Sequence, residues 1–265
     1  MNLNLKNRKV VITGVGDGIG REMALMFAAE GAQVAGCSRT QKSLDVLADE
    51  MPGEGHCFKA VDLASAQATE TFHRDVTQAF GGLDILVNNV GSIQKLATFS
   101  ELTDADWEEA FQINLMSAVR MCRLFLPQLK ESASASILNI SSIAGSRPDV
   151  IFPHYAAFKA GLSNLTVSLS QTLAPDRIRV NAISPGPVWS RSWENEAAGA
   201  AQKQGKELDA VRDEIRAASS ESTLLKRMGE PGDVAGLAVF LSSNAGGWIT
   251  GTNYTVDGGI LRNPY

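Results

Sequence analysis

The sequence predicts an α/β domain, a parallel sheet of about seven strands with helices on both faces. Three observations carry that expectation. Short β-branched runs alternate strictly with segments of helical periodicity, as the crossover connections of a parallel sheet require. The run "LDILVNNVG" (83–91) is apolar on both sides, which suits a strand buried on both faces. No linker or repeat breaks the alternation, so residues 1–265 read as one domain.

In chain order, "KVVITG" (9–14) is strand-like, and "GREMALMFAAEGA" (20–32) repeats apolar residues at helical spacing up to Gly31. "QVAGCS" (33–38) is the second strand, "QKSLDVLADEM" a helix, "HCFKAVDL" (56–63) a third strand, and "AQATETFHRDVTQAFGG" a helix ending in glycines. The fourth strand (83–91) leads to one long helix over 104–130, with Asp104 as its N-cap and Pro127 near its end. "ASILNISS", "IRVNAISPG" and "NYTVDGG" (253–259) complete the strands, and "HYAAFKAGLSNLTVSLSQTLA" and "DVAGLAVFLSS" (233–243) the helices. Between "SPGPVW" and "RMGEPGD" about thirty-five residues leave the pattern. Within them "KELDAVRDEIRAA" (206–218) has helical periodicity, and the segment at about 189–226 reads either as a solvated surface helix or as a lid over a substrate site.

The bulk numbers exclude several classes. A net charge of −5 and the lack of any Lys/Arg block argue against nucleic acid or an anionic membrane as partner. No run approaches the ~20 apolar residues of a membrane helix. The apolar part of "MNLNLKNRKVVITGVG" is too short for a signal-peptide core. Cys37, Cys57 and Cys122 are scattered, as are His56, His73 and His154, so a metal site is not expected and a reducing, cytoplasmic compartment is.

"TGVGDGIG" (13–20) sits between the first strand and the first helix. Gly14 permits the turn, Gly18 admits a diphosphate, and Gly20 lets helix and strand pack, with Ile19 between them. That context specifies a doubly wound Rossmann fold binding a dinucleotide. No Gly-Lys-Ser/Thr follows, which disfavours a P-loop. At the end of the second strand stand Ser38 and Arg39 instead of the acid that accepts bonds from a free ribose. A guanidinium grips a 2′-phosphate, so NADP(H) is preferred, with NAD(H) possible. Asp17, inside the glycine loop, is expected to cancel part of Arg39's charge.

Tyr155 and Lys159 lie four apart in "HYAAFKAGL" (154–162). The pair alone reads equally as catalytic or as two surface neighbours. The wider set decides: "TGVGDGIG", "VDL" (61–63), "NNVG" (88–91), Asn114 in "INL", "ISS" (140–142), "YAAFK" (155–159), "SPGPVWS" (184–190) and "NYTVDGG". In content, order and spacing this set resembles the short-chain dehydrogenase/reductase family over nearly the whole chain. The resemblance implies a catalytic tetrad of Asn114, Ser142, Tyr155 and Lys159. It also implies cofactor contacts from Asp62 and Leu63 at the adenine, Asn89 and Gly91 at the adenosine ribose, and Pro185, Gly186, Val188 and Ser190 around the nicotinamide. It suggests a homotetramer built on the helices of 104–130 and 155–173 and on the C-terminal strand.

Residues i and i+4 share a helix face, so Tyr155 and Lys159 project together. A free tyrosine titrates near 10, and a neighbouring ammonium is expected to lower it toward working pH. In the expected reduction Ser142 orients the substrate carbonyl, hydride reaches its carbon from the nicotinamide, and Tyr155 protonates the alkoxide. Lys159 holds the ribose and tunes Tyr155, and Asn114 positions a water for proton resupply. His154 reads as packing or solvated and not as a base.

Trp189, Trp193, Ile93, Leu96, Phe152 and Pro153 form either an apolar wall for a ketone or secondary alcohol, or the packing of the lid and a subunit contact. Two other enzymes share this chemistry. A 3-oxoacyl carrier-protein reductase needs a basic docking surface, for which Arg147, Arg191 and Lys203 are a thin set. The other is an NAD-dependent catabolic alcohol dehydrogenase. A non-catalytic nucleotide-binding protein fits least, because both Tyr155 and Lys159 are present.

Overall fold

The protein's structure, a computed structural model, describes residues 3–262; residues 1–2 and 263–265, the ends of the expected domain, lie outside the described residues. Seven strands form one parallel sheet: β1 (Lys9–Thr13), β2 (Gln33–Ser38), β3 (Cys57–Ala60), β4 (Ile85–Asn88), β5 (Ser136–Ile140), β6 (Arg179–Pro185) and β7 (Asn253–Val256). Their spatial order is β3-β2-β1-β4-β5-β6-β7. This is the doubly wound Rossmann-like arrangement expected from the sequence. Chain order reverses between β1 and β4, whose loops therefore part at the C-terminal edge and leave a crevice.

Successive strand side chains point to opposite faces, and each face has its own core. On one, Val10, Ile12, Val34 and Val87 pack against α1 (Gly18–Ala29), α2 (Gln41–Glu50) and α9 (Pro231–Ser242). The small residues Ala24, Ala28, Ala235 and Ala238, all buried, let α1 and α9 pack closely. On the other face, Val11, Ala35 and Leu86 meet Phe72 of α3 (Ala66–Phe80) and Met121 and Phe125 of α5 (Ser117–Lys130). Leu173, at the end of α6 (Pro153–Leu173), joins the same core.

The expected helix over 104–130 is interrupted. α4 (Asp104–Phe111) passes through a π turn, Gln112–Met116, before α5 begins. Its N-cap is Thr103, not Asp104. The Thr103 hydroxyl accepts from Asp106 N, and the Asp106 carboxylate accepts from Thr103 N at 2.8 Å, a reciprocal capping box. The third strand is shorter than expected, since the chain turns away after Ala60. The excursion after β6 holds two helices, α7 (Arg191–Gln204) and α8 (Leu208–Glu221), separated at Gly205, which is left-handed at φ 62°. These two share a small core of Ala197, Ala201 and Val211.

Candidate active site

The loops after β1, β2, β4, β5 and β6 gather at the C-terminal edge of the sheet. In the first, Gly14 (φ 75°) and Gly18 (φ 55°) adopt left-handed backbone that a side chain would strain. A Cβ on Gly20 would run into the Gly14 carbonyl. Asp17 stands at the N-cap of α1, but its side chain makes no cap bond to that helix. Its carboxylate accepts instead from the backbone N–H of Arg191, at 2.5 Å. Asp17 therefore leaves the first amides of α1 uncapped, and the positive end of the helix faces the crevice where an anion can bind. This cradle fits a dinucleotide diphosphate. Ile19 is half-buried in the first turn, and Ser38 and Arg39 lie one strand away, Arg39 exposed.

Several residues expected at the cofactor are engaged elsewhere by their side chains. Asn89 Nδ2 donates to the carbonyls of Thr13 (2.9 Å) and Gly14 (3.2 Å), so it braces the glycine loop. Asp62 accepts from Ala64 N at 3.0 Å in a local turn. The Leu63 side chain is buried in the same core as Phe72 and Val76, and its carbonyl accepts from Arg120 Nη1 at 3.5 Å. Pro185 ends β6, and Gly186 N donates to Val256 O at 2.9 Å. Val188 is buried and bridged to Gly229, and Ser190 stands at the N-cap position of α7, without a side-chain cap bond, beside Gly18.

The four expected catalytic residues converge. Lys159 is 2% exposed, and its Nζ donates to Ile140 O at 2.8 Å. Tyr155, one turn earlier, places its ring centroid 5.7 Å from that nitrogen. The Ser142 hydroxyl, just past β5, stands near enough to Tyr155 to favour its phenolate, and accepts from Ala144 N at 3.1 Å. Asn114 lies in the π turn, where its Oδ1 accepts from Ser92 N and its Nδ2 donates to Ser92 O and Ala110 O. Both Nδ2 hydrogens are thus committed, and only Oδ1 keeps a free lone pair. A Cβ on Gly91 would lie 2.6 Å from Lys159 Nζ and 3.1 Å from Asn114 Oδ1, so the glycine makes room for the ammonium.

The electrostatics depart from expectation at one point. Burial pushes the Tyr155 hydroxyl up, and the Ser142 hydroxyl opposes it. Lys159 moves instead: burial pulls its ammonium down to about 8. Among the described residues no carboxylate lies within salt-bridge reach of Lys159.

Of the expected substrate wall, Phe152 packs edge-on against Tyr155 at 6.1 Å, and Ile93 is exposed on the loop after β4. A bond from Ala97 N to Ile151 O (2.8 Å) ties the loops carrying them together. Trp193 is half-buried in the first turn of α7. Trp189 belongs to the packing alternative: its ring joins the α7–α8 core, with the Arg216 guanidinium 4.2 Å from its centroid. The sequence reading missed three supports. Thr13 Oγ1 accepts from Asn89 N and Val90 N; Ser141 Oγ donates to Lys159 O; and Gly145 lets its turn press on the α6 backbone, where a Cβ would meet Ala160 N at 2.9 Å. Thr13 and Ser141 stand inside the motifs "TGVGDGIG" and "ISS", which attach no such role to them, and Gly145 lies outside every motif of the set.

The model of the family described as "Enoyl-(Acyl carrier protein) reductase" matches residues 14–261. The chain belongs to the short-chain dehydrogenase/reductase family. It is an oxidoreductase of that family, working between CH–OH and C=O groups. Similar proteins include the uncharacterized oxidoreductase YvrD of Bacillus subtilis, 35% identical over 99% of this chain and 100% of the relative. L-fucose dehydrogenase of Oryctolagus cuniculus is 34% identical over 94% of this chain and 84% of its own. Among solved structures, L-sorbose reductase from Gluconobacter frateurii, complexed with NADPH and L-sorbose, superposes with a TM-score of 0.91 at 29% identity, covering 99% of this chain and all of that one.

Proposed function

We propose that this short-chain dehydrogenase/reductase is an NADP(H)-dependent carbonyl reductase for a small ketone, with Tyr155 as the general acid; oxidation of a secondary alcohol is the same path reversed. The observation that carries the reading is the buried Lys159 ammonium beside Tyr155, with the Ser142 hydroxyl close enough to Tyr155 to favour the phenolate. Burial keeps Tyr155 protonated at neutral pH, which suits a proton donor to a developing alkoxide. When bound, the nicotinamide supplies or accepts the hydride. Ser142 orients the carbonyl oxygen, and Lys159 holds the ribose and restores the Tyr155 proton. Asn114 fixes the loop at Ser92, and its remaining Oδ1 lone pair is where a resupplying water would bind. Gly91 keeps the space that Lys159 needs. Phe152 and Ile93 form the apolar side of the substrate site, with Trp193 at its rim. α7 and α8, residues 189–226, serve as a lid on a single domain.

The cofactor preference rests on Ser38 and Arg39 at the end of β2 and on the NADPH carried by L-sorbose reductase. Assembly as a homotetramer follows the family. A cytoplasmic setting is consistent with free thiols at Cys37, Cys57 and Cys122. No helix among the described residues is long and apolar enough to cross a membrane. The test is fluorescence titration with NADPH and NADH, followed by turnover on a panel of small ketones that includes L-sorbose. Tighter NADPH binding with turnover of a ketone is expected. Tighter NADH binding overturns the cofactor preference, and cofactor binding without turnover of any ketone or alcohol overturns the enzyme reading.

A further inference from the structure

Arg191 opens α7 and lies against the glycine loop. Its backbone N–H is held by the Asp17 carboxylate at 2.5 Å, and its Nε lies 4.0 Å from the same oxygen. Its guanidinium reaches onward to Ser43 Oγ at 3.3 Å and to the Gly16 carbonyl at 3.5 Å. Gly16 packs directly on Ser38 and Ser43, so this corner is the one that Ser38 and Arg39 border. The guanidinium thus stands at the end of β2 where the adenosine ribose is read.

We propose that Arg191 is a second cation for the cofactor's 2′-phosphate, carried to the site by the lid, and that Asp17 positions it. The inference rests on the NADP(H) reading above. Both side-chain bonds of the guanidinium are long, near the outer limit for hydrogen bonds, so exchanging them for phosphate oxygens costs little. Charge-assisted bonds from guanidinium to phosphate are shorter and stronger. Asp17 then has a role opposite to the one its charge suggests. Its carboxylate anchors the first turn of α7, and Arg191 neutralises it, so the glycine loop presents little net repulsion to the phosphate. Binding of the phosphorylated adenosine and docking of the lid become one event, since the same residue belongs to both.

The test uses adenosine 2′,5′-bisphosphate and adenosine 5′-monophosphate as unreactive probes, titrated calorimetrically into the full chain. Wild type is expected to prefer the bisphosphate. Arg191→Ala is expected to weaken the bisphosphate by about tenfold or more and leave the monophosphate nearly unchanged. Arg191→Gln, which keeps most of the packing, should do the same. Asp17→Ala should also lower the preference. Equal weakening of both probes, or none, in the Arg191 variants overturns the proposal. So does a stronger preference in Asp17→Ala, which would make Asp17 a repellent. Arg39→Ala separates the two readings. If it abolishes the preference while Arg191→Ala does not, the NADP(H) reading stands and this inference fails. If wild type shows no preference, both fail.

Discussion

Lys159 is the residue whose surroundings do most to set the chemistry. Its nitrogen is buried, held by one carbonyl, and given room by a missing side chain at Gly91. Gly91→Ala would force the ammonium off Ile140 O, because the added carbon falls 2.6 Å from it. Turnover should drop about tenfold or more while the melting temperature changes little, since Gly91 is an exposed loop residue. Lys159 also predicts the pH profile. Reduction should be fastest with the ammonium charged and should decline as pH rises through about 8, where burial has placed its titration. Tyr155 is pushed the other way and titrates above that window. In Lys159→Met the residual rate should show no such limb; a limb of unchanged midpoint would assign it to another group. The sequence named Lys159, Tyr155 and Ser142 through the family resemblance, since the ordered set of motifs singles them out where the Tyr–Lys pair alone does not. It did not foresee that Asn89 braces the glycine loop, since a carboxamide serves a cofactor or a backbone equally well and only the fold shows which carbonyls lie within reach.

At the level of elements, α4 and α6 enclose His154, which is fully buried beside Trp107 with both ring nitrogens unpartnered among the described residues. Desolvation holds its imidazole below the usual range, against the opposing pull of Asp106 and with a small push from Lys95. His73 is lowered too, mainly by burial. The unfolded chain therefore takes up these protons first. Stability should be full above about pH 6.5 and should fall as pH drops below it. Thermal melts between about pH 8 and pH 5.5 check this, with His154→Leu flattening the acid side; an unchanged slope in that variant would contradict it. Element boundaries show where the sequence is silent. Helical periodicity does not reveal the π turn at Gln112–Met116, because an extra backbone step leaves the apolar stripe nearly in place. α7 escaped notice because its buried face consists only of Ala197 and Ala201, too little contrast to stand out. The cap at Thr103 was legible in principle from the acid three residues on.

For the molecule as a whole, strict alternation of strands and helices predicted the parallel sheet with helices on both faces, while the strand order β3-β2-β1-β4-β5-β6-β7 came from the structure. Assembly is less legible, because surfaces carry no periodic signal. β7 is an edge strand, and Trp248, just before it, is wholly exposed. An uncovered edge beside a large apolar ring favours pairing with another chain. Sedimentation should show the proposed four-chain species, and Trp248→Glu should shift it toward smaller ones; a wild-type monomer would contradict the assembly. The sheet, the crevice and the buried lysine meet at one hydroxyl. The decisive measurement is ketone reduction by Tyr155→Phe, with NADPH affinity measured on the same protein. The expected result is a loss of kcat of about a hundredfold to ten-thousandfold with the cofactor dissociation constant nearly unchanged. Wild-type turnover in that variant would show that Tyr155 is not the proton donor.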